Sequence, residues 1–156
     1  MPPTTRRQAR LASEERVQRA HEREAEILRR NGFFMHVVFD DKDTPWGKNI
    51  HTHGLELYDK HPDFQVVAPV PDRTAVEICQ RLGDRVKGGE RFEYGRRYRG
   101  VIDGGYDVTF ARAWEGGRQV MRVIVADRDN NVELGKITGT LARQYEDCIE
   151  SATTRK

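Results

Sequence analysis

The stretch from Asn49 to Val67, NIHTHGLELYDKHPDFQVV, constrains the fold more than any other part of the chain. Its pattern predicts a strand, a short polar loop containing His61-Pro62, and a second, buried strand. Gly54 interrupts the first strand and indicates a bulge or a close backbone approach. Because side chains alternate between the faces of a strand, one face of the first strand is predicted to carry His51, His53, Leu55 and Leu57.

Sequence patterns before this stretch predict one helix and one strand. A helix over residues 6–30 is predicted to start at a capping box on Thr5 and to end at Gly32. Its apolar stripe is thin, so we expect only its second half to pack on the domain. The strand Phe33–Phe39 is apolar on both faces and is therefore predicted to be central in the sheet.

The second half of the chain predicts a helix, a hairpin and a last helix. A capping box at Thr74 opens the helix, whose core stripe contains Cys79 as a structural residue. Two strands flank a loop at Gly116-Gly117, and a helix is predicted over 140–151. The whole pattern predicts an α+β fold: a mainly antiparallel sheet of about five to six strands, helices on one face and a long N-terminal helix. Residues 1–31 form a predicted helical extension and residues 32–156 a single α+β domain.

Composition excludes several classes of protein. The 156 residues contain no apolar run long enough for a transmembrane helix, no secretory h-region and only two cysteines, so we expect a cytoplasmic protein. Residues 1–30 hold eight arginines and five glutamates, a local charge of +3 within a chain of net +2. Because glutamates dilute these arginines, the segment argues against nucleic acid as the main partner. No serine-hydrolase elbow, P-loop or dinucleotide-binding motif is present.

The order of several short motifs resembles a known family. The matching residues are Thr52, Gly54, Leu55, His61, Pro62, Asp63, Gly89, Glu90, Phe92, Gly95, Arg96, Tyr98 and the run Val123–Asp127. Over about residues 33–130 the chain resembles the bacterial family called domain of unknown function 4262. His51 stands where that family usually has tyrosine, and an Asn-Asn-Val-Glu-Leu run replaces its usual Gly-x-Phe-Pro segment. The resemblance implies a fold and candidate positions, and no assigned activity.

Two groups of residues are candidate sites. His51 and His53 form an H-x-H pair that could hold zinc or iron if His61 or Asp127 supplied a further ligand. The alternative is that one histidine lies in a semi-buried polar network and the other is solvated. Arg96, Arg97 and Tyr98 lie in a basic, aromatic stretch suited to an anionic ligand, or to protecting a solvated edge strand from aggregation. The predicted ligand-binding residues are His51, His53, His61, Arg96, Arg97 and Tyr98.

The leading functional expectation is a small, non-catalytic protein that binds a partner protein or a small anionic ligand, without a cofactor. We expect a homodimer with the N-terminal helix in its interface. A first alternative is a metal-dependent or acid–base enzyme that uses the His51/His53 pair, with Asp127 as a further metal ligand. A second alternative is weak nucleic-acid association through the arginine-rich N-terminal helix.

Overall fold

A five-stranded sheet forms the centre of the fold in the computed structural model, which describes residues 5–149. The elements in chain order are α1 (Arg6–Asn31), β1 (Phe34–Phe39), β2 (Lys48–His53), α2 (Leu55–Asp59), β3 (Phe64–Val66), α3 (Asp72–Lys87), β4 (Val108–Glu115), β5 (Arg118–Val125) and a 3-10 helix (Gly139–Tyr145). The strand order is β1-β2-β3-β5-β4, and each neighbouring pair is antiparallel except β3 with β5. The predicted α+β fold with a mainly antiparallel sheet is confirmed.

One face of the sheet carries the hydrophobic core. Ile50, Phe64 and Met121 project from β2, β3 and β5 toward α3, and all three are fully buried. The predicted stripe of α3 meets them and consists of Ala75, Cys79, Leu82 and Val86; Ile78 is buried beside it. Burial raises the pKa of Cys79 to about 12, as expected for a thiol that serves as a small core residue.

The opposite face of the sheet is polar at its centre. The cross-strand partners His51, Gln65 and Arg122 lie side by side on β2, β3 and β5. Their side chains are at most 2% exposed. Backbone carbonyls of Gln144 and Glu146, at the end of the 3-10 helix, accept hydrogen bonds from Arg122. This polar face, and not the core, positions the candidate site.

The prediction that Phe33–Phe39 is a central strand is wrong. Strand β1 lies at the edge of the sheet and, among the described residues, pairs only with β2. Its last three residues, Val37, Val38 and Phe39, are exposed. The apolar composition of the strand therefore does not indicate burial on both faces.

The first strand of the stretch Asn49–Val67 is shorter than predicted. Strand β2 ends at His53, and Gly54 adopts φ 111° before α2 begins. A Cβ at Gly54 would lie 2.6 Å from Leu28 Cδ2 and 3.0 Å from the carbonyl oxygen of Gly32, so the predicted close approach is present and no bulge forms. Because the chain turns into a helix there, Leu55 is buried and Leu57 is 73% exposed, so the shared face predicted for both leucines is wrong.

Helix ends follow the predictions in part. The capping box at Thr5 and the left-handed Gly32 are present at the two ends of α1. The capping box at Thr74 is wrong, because α3 begins at Asp72, directly after Pro71. The predicted last α-helix is a 3-10 helix that ends where Glu146 becomes extended. Residues 146–149 are not helical, and Ile149 forms an isolated bridge to Arg112, so this part of the prediction is wrong. Its last two residues, 150 and 151, lie outside the described residues.

Helix α1 has no buried residue, and Leu11 and Val17 are 44% and 53% exposed. Its second half contacts the domain where Leu28 approaches Gly54 and where Glu24 meets His36 of β1. The division into an extension over 1–31 and a domain over 32–156 stays a prediction. Within residues 5–149, no helix is long and apolar enough to cross a membrane.

Candidate metal centre

Three histidines meet on the polar face at the edge of the sheet. His36 on β1 is the cross-strand partner of His51 on β2, and His53 follows two residues later on the same face. The Nε2 atoms of His51 and His53 are 3.0 Å apart. One ring nitrogen from each of the three histidines lies within 4.8 Å of the others. We call these residues the histidine cluster.

Carboxylates approach the histidine cluster from two other elements. Glu115, at the end of β4, places Oε1 3.5 Å from His51 Nε2. Glu24, on α1, places Oε1 3.0 Å from His36 Nε2. The cluster therefore combines three imidazoles with two nearby carboxylate groups, which are the ligand types that zinc and related ions take in proteins.

His51 is held as a neutral imidazole with its proton on Nδ1. Nδ1 lies 3.0 Å from the side-chain oxygen of Asn49, which can only accept a hydrogen bond. Burial lowers the pKa of His51 to about 4, although the nearby Glu115 carboxylate acts in the opposite direction. Burial likewise lowers the pKa of His53, and the charge of Arg118 adds to that effect. At neutral pH both rings therefore have an unprotonated nitrogen able to ligate a cation.

Arg118 and Asp63 form a network of hydrogen bonds next to the histidine cluster. Arg118 Nε donates to Glu115 at 3.2 Å, Nη1 donates to Asp63 at 2.7 Å and Nη2 donates to the Thr52 carbonyl at 2.7 Å. Asp63 is 1% exposed and also accepts hydrogen bonds from the Thr52 hydroxyl and the Leu55 amide. Arg118 thus orients the Glu115 carboxylate toward the histidine cluster and holds the end of β2 against β3.

Comparison with known proteins identifies the family. A family model described as a domain of unknown function, DUF4262, matches residues 27–128, about two thirds of the chain. The chain belongs to the DUF4262 family. Neither the curated proteins nor the solved structures contain a match. The resemblance predicted from the order of motifs is confirmed.

Some of the motif residues that carry the DUF4262 resemblance lie beside the site, and others lie in the adjoining core. The Thr52 hydroxyl donates to Asp63 and accepts from the Phe64 amide, so these residues join the ends of β2 and β3. His61 is 2% exposed; its Nδ1 donates to the Pro62 carbonyl at 2.8 Å and its Nε2 accepts from the Phe92 amide at 3.1 Å. Both nitrogens of His61 are thus engaged, and its ring packs with Phe64 and Phe92 on the core side.

Arg96, Arg97 and Tyr98 lie in the loop between α3 and β4, where they contact the same loop, the start of β4 and the 127–133 turn. Arg97 is bound by Asp107, Glu133 and the Asn130 carbonyl. Arg96 pairs with Glu93 at the surface, and the Tyr98 hydroxyl accepts from the Glu93 amide. The structure therefore places these three residues together and does not join them to His51 and His53.

Asp127, the predicted further metal ligand, organises its own turn. Its two carboxylate oxygens accept hydrogen bonds from the amides of Asp129, Asn131 and Thr138 and from the Asn131 and Thr138 side chains. These hydrogen bonds hold the pKa of Asp127 well below its usual range. The residue that joins His51 and His53 is His36, which the sequence analysis missed. Antiparallel pairing of the Phe33–Phe39 strand with the His51 strand could have indicated it, because that register places His36 opposite His51.

Proposed function

We propose that this protein binds a divalent transition-metal ion of the zinc class through His36, His51 and His53. One observation carries the proposal: the Nε2 atoms of His51 and His53 face each other at 3.0 Å, while His51 Nδ1 lies against the side-chain oxygen of Asn49 and must donate its proton there. Two nitrogen lone pairs at this distance repel unless a cation or a proton lies between them. Two nitrogens bound to one tetrahedral zinc ion at about 2.0–2.1 Å are roughly 3.3 Å apart, close to the observed separation.

The competing explanation is a shared proton. His53 could carry its proton on Nε2 and donate it to His51, which would satisfy both rings without a metal. The third imidazole and the carboxylates favour the metal. His36 contributes a ligand atom within 4.8 Å of the others, and Glu115 lies 3.5 Å from His51 Nε2. A proton shared between His51 and His53 requires neither the His36 imidazole nor the Glu115 carboxylate.

The ligand set indicates the class of metal and its chemistry. Three imidazoles suit zinc, cobalt, nickel, copper and iron, and one carboxylate from Glu115 would make the set one of mixed nitrogen and oxygen ligands. If only the three imidazoles bind, a fourth position stays open for water or substrate, and a bound zinc ion lowers the pKa of such a water to about 7. The proposal therefore favours the metal-dependent alternative over the non-catalytic one.

The test is metal binding by protein freed of metal with a chelator and carrying no histidine tag. We expect one equivalent of Zn²⁺ by calorimetry, and visible absorption from tetrahedral or five-coordinate Co²⁺. His53→Ala should weaken binding at least about 100-fold, because losing a ligand costs more than losing a supporting hydrogen bond. His21→Ala is the matched control, since His21 is exposed on α1, and it should leave the affinity unchanged.

Absence of stoichiometric binding by the wild-type protein would refute the proposal. Equal affinity of the wild-type protein and His53→Ala would also refute it, because the metal would then bind elsewhere.

The proposed setting is the cytoplasm, and the proposed assembly is a homodimer. Cys79 and Cys148 are both free thiols, which supports a reducing compartment. The exposed Leu11 and Val17 on α1 support contact with a second copy of the chain. Binding of a partner protein or a small anion, and weak nucleic-acid association through α1, stay predictions.

A further inference from the structure

The centre of the polar face contains buried polar side chains, although apolar side chains at these positions would avoid the free-energy cost of desolvating polar groups. Asn49, Gln65 and Arg122 are 5%, 1% and 2% exposed. Burying a polar group is unfavourable unless each of its donors and acceptors is paired. The opposite face of the same strands has no such requirement, because its buried residues are the apolar Ile50, Phe64 and Met121.

The hydrogen bonds along this row of buried polar side chains can run in one direction only. Arg122 is always protonated and has no acceptor, so Nε must donate to Gln65 at 2.9 Å, which fixes the Gln65 oxygen on that side. The Gln65 amide nitrogen then faces Asn49 and donates to its oxygen at 3.2 Å. That oxygen is therefore an acceptor, and His51 can bond to it only by carrying its proton on Nδ1.

A second, weaker contact favours the same orientation of Asn49. Its amide nitrogen donates to a carboxylate oxygen of Asp41 at 3.1 Å, but Asp41 is only half-buried, so water competes for this hydrogen bond. The buried donor at Arg122 is therefore needed to hold Asn49 in a single orientation. Nothing in this chain of contacts depends on the protonation of a histidine.

Among residues 5–149, the partners that Arg122 binds are neutral. Besides Gln65, they are the carbonyls of Gln144 at 3.0 Å and Glu146 at 2.6 Å, and Cys148 Sγ at 3.6 Å. A buried charge without an ionised partner is costly, and an apolar side chain of similar volume is often neutral or stabilising at such a position. Stability therefore does not explain why a charged side chain occupies this buried position.

We infer that Arg122 is a positioning residue for the metal centre, acting through Gln65 and Asn49 to fix the His51 tautomer that leaves Nε2 free for the ion. This inference rests on the proposed function. Hydrogen bonds to the second nitrogen of a ligating histidine fix its tautomer and ring orientation, and losing such a partner weakens metal affinity about 10- to 100-fold. Here the fixed donor lies two side chains beyond the hydrogen-bond partner of His51.

The test compares Arg122→Met with Arg122→Lys. The methionine removes the permanent donor, and the lysine keeps one. Histidine ¹⁵N spectra of the chelated protein should show His51 protonated on Nδ1 in the wild-type protein and in Arg122→Lys, and a mixture of tautomers in Arg122→Met. Zinc affinity should fall about 10- to 100-fold in Arg122→Met and stay within about threefold of wild type in Arg122→Lys. Should Arg122→Met fail to fold, Gln65→Leu interrupts the row one residue closer to His51.

Two outcomes would overturn the inference. One is a folded Arg122→Met, or Gln65→Leu in its place, in which His51 keeps its proton on Nδ1. The other is a changed tautomer with unchanged zinc affinity. If the wild-type protein binds no metal, the proposed function fails, and the inference that Arg122 positions a metal ligand fails with it. The spectra of the metal-free protein still report separately whether Arg122 fixes the tautomer.

Discussion

The two faces of this sheet are built from the same strands, but different interactions hold their side chains in place. In β2, Ile50 points into the core under α3, and the residues on either side of it, Asn49 and His51, point to the polar face. The core face is an aromatic and aliphatic cluster around Phe64 that any set of apolar side chains of the right volume could approximate. The polar face depends on directed hydrogen bonds, in which each donor fixes the next acceptor.

Stability and specificity therefore depend on different faces of the sheet. Burial of apolar surface is non-directional and supplies most of the free energy of folding. A buried polar row adds little net stability, but it can fix a single arrangement of side chains. We therefore expect substitutions on the core face to affect unfolding, and substitutions at the histidine cluster to affect binding.

The largest expected effect contrasts Phe64→Ala with His53→Ala. Phe64 is fully buried, with its ring centroid 5.5 Å from that of Phe110 and 5.7 Å from that of Phe92, so its truncation should lower the free energy of unfolding by about 3–5 kcal/mol. His53 is half-buried, and in chelated protein its loss should cost about 1 kcal/mol or less. Urea unfolding of both variants in chelator measures this difference. Equal losses of unfolding free energy in Phe64→Ala and His53→Ala would show that the two faces contribute alike to stability.

A smaller effect concerns His61, a polar residue set into the core face. Burial lowers the pKa of His61 below the ordinary 6.5, and Arg91 adds to this effect. The unfolded chain therefore binds a proton near pH 6.5 that the folded protein resists, so stability is retained above pH 6.5 and declines as the pH falls toward the lowered pKa. One such group contributes at most about 1.4 kcal/mol per pH unit.

Urea unfolding between pH 8 and pH 5.5 in chelator, with wild type and His61→Gln side by side, isolates this contribution. His51 and His53 are present in both proteins, so they affect both slopes alike. The slope of unfolding free energy against pH should be shallower in His61→Gln below pH 6.5. Parallel slopes would show that His61 titrates alike in the folded and unfolded chains.

The sequence predicts this architecture better than it predicts the site. Period-two alternation placed His51 and His53 on one face, and their shared face is confirmed. His36 was missed because its place depends on the register between two strands, which the length of the intervening turn sets and periodicity does not. The edge position of β1 was missed because apolar composition does not distinguish a buried strand from an exposed apolar edge. The row from Asn49 to Arg122 joins three strands and could not be read from any one segment.

The smallest expected effect on stability is that of removing residues 1–20. Helix α1 has no buried residue, and Glu24 and Leu28, which contact the domain, are kept in the truncated chain. The free energy of unfolding per chain should therefore change by less than about 1 kcal/mol, since an exposed helical segment adds little stability of its own. The oligomeric state should change more, because the deletion removes Leu11 and Val17, the residues we expect to contact a second copy. Light scattering tests whether α1 contributes to an interface. It should compare the full-length protein, this deletion, and a control that lacks only residues 1–10 and keeps Leu11 and Val17. A dimer that persists in the longer deletion, or a full-length protein that is already monomeric, would exclude α1 from an interface.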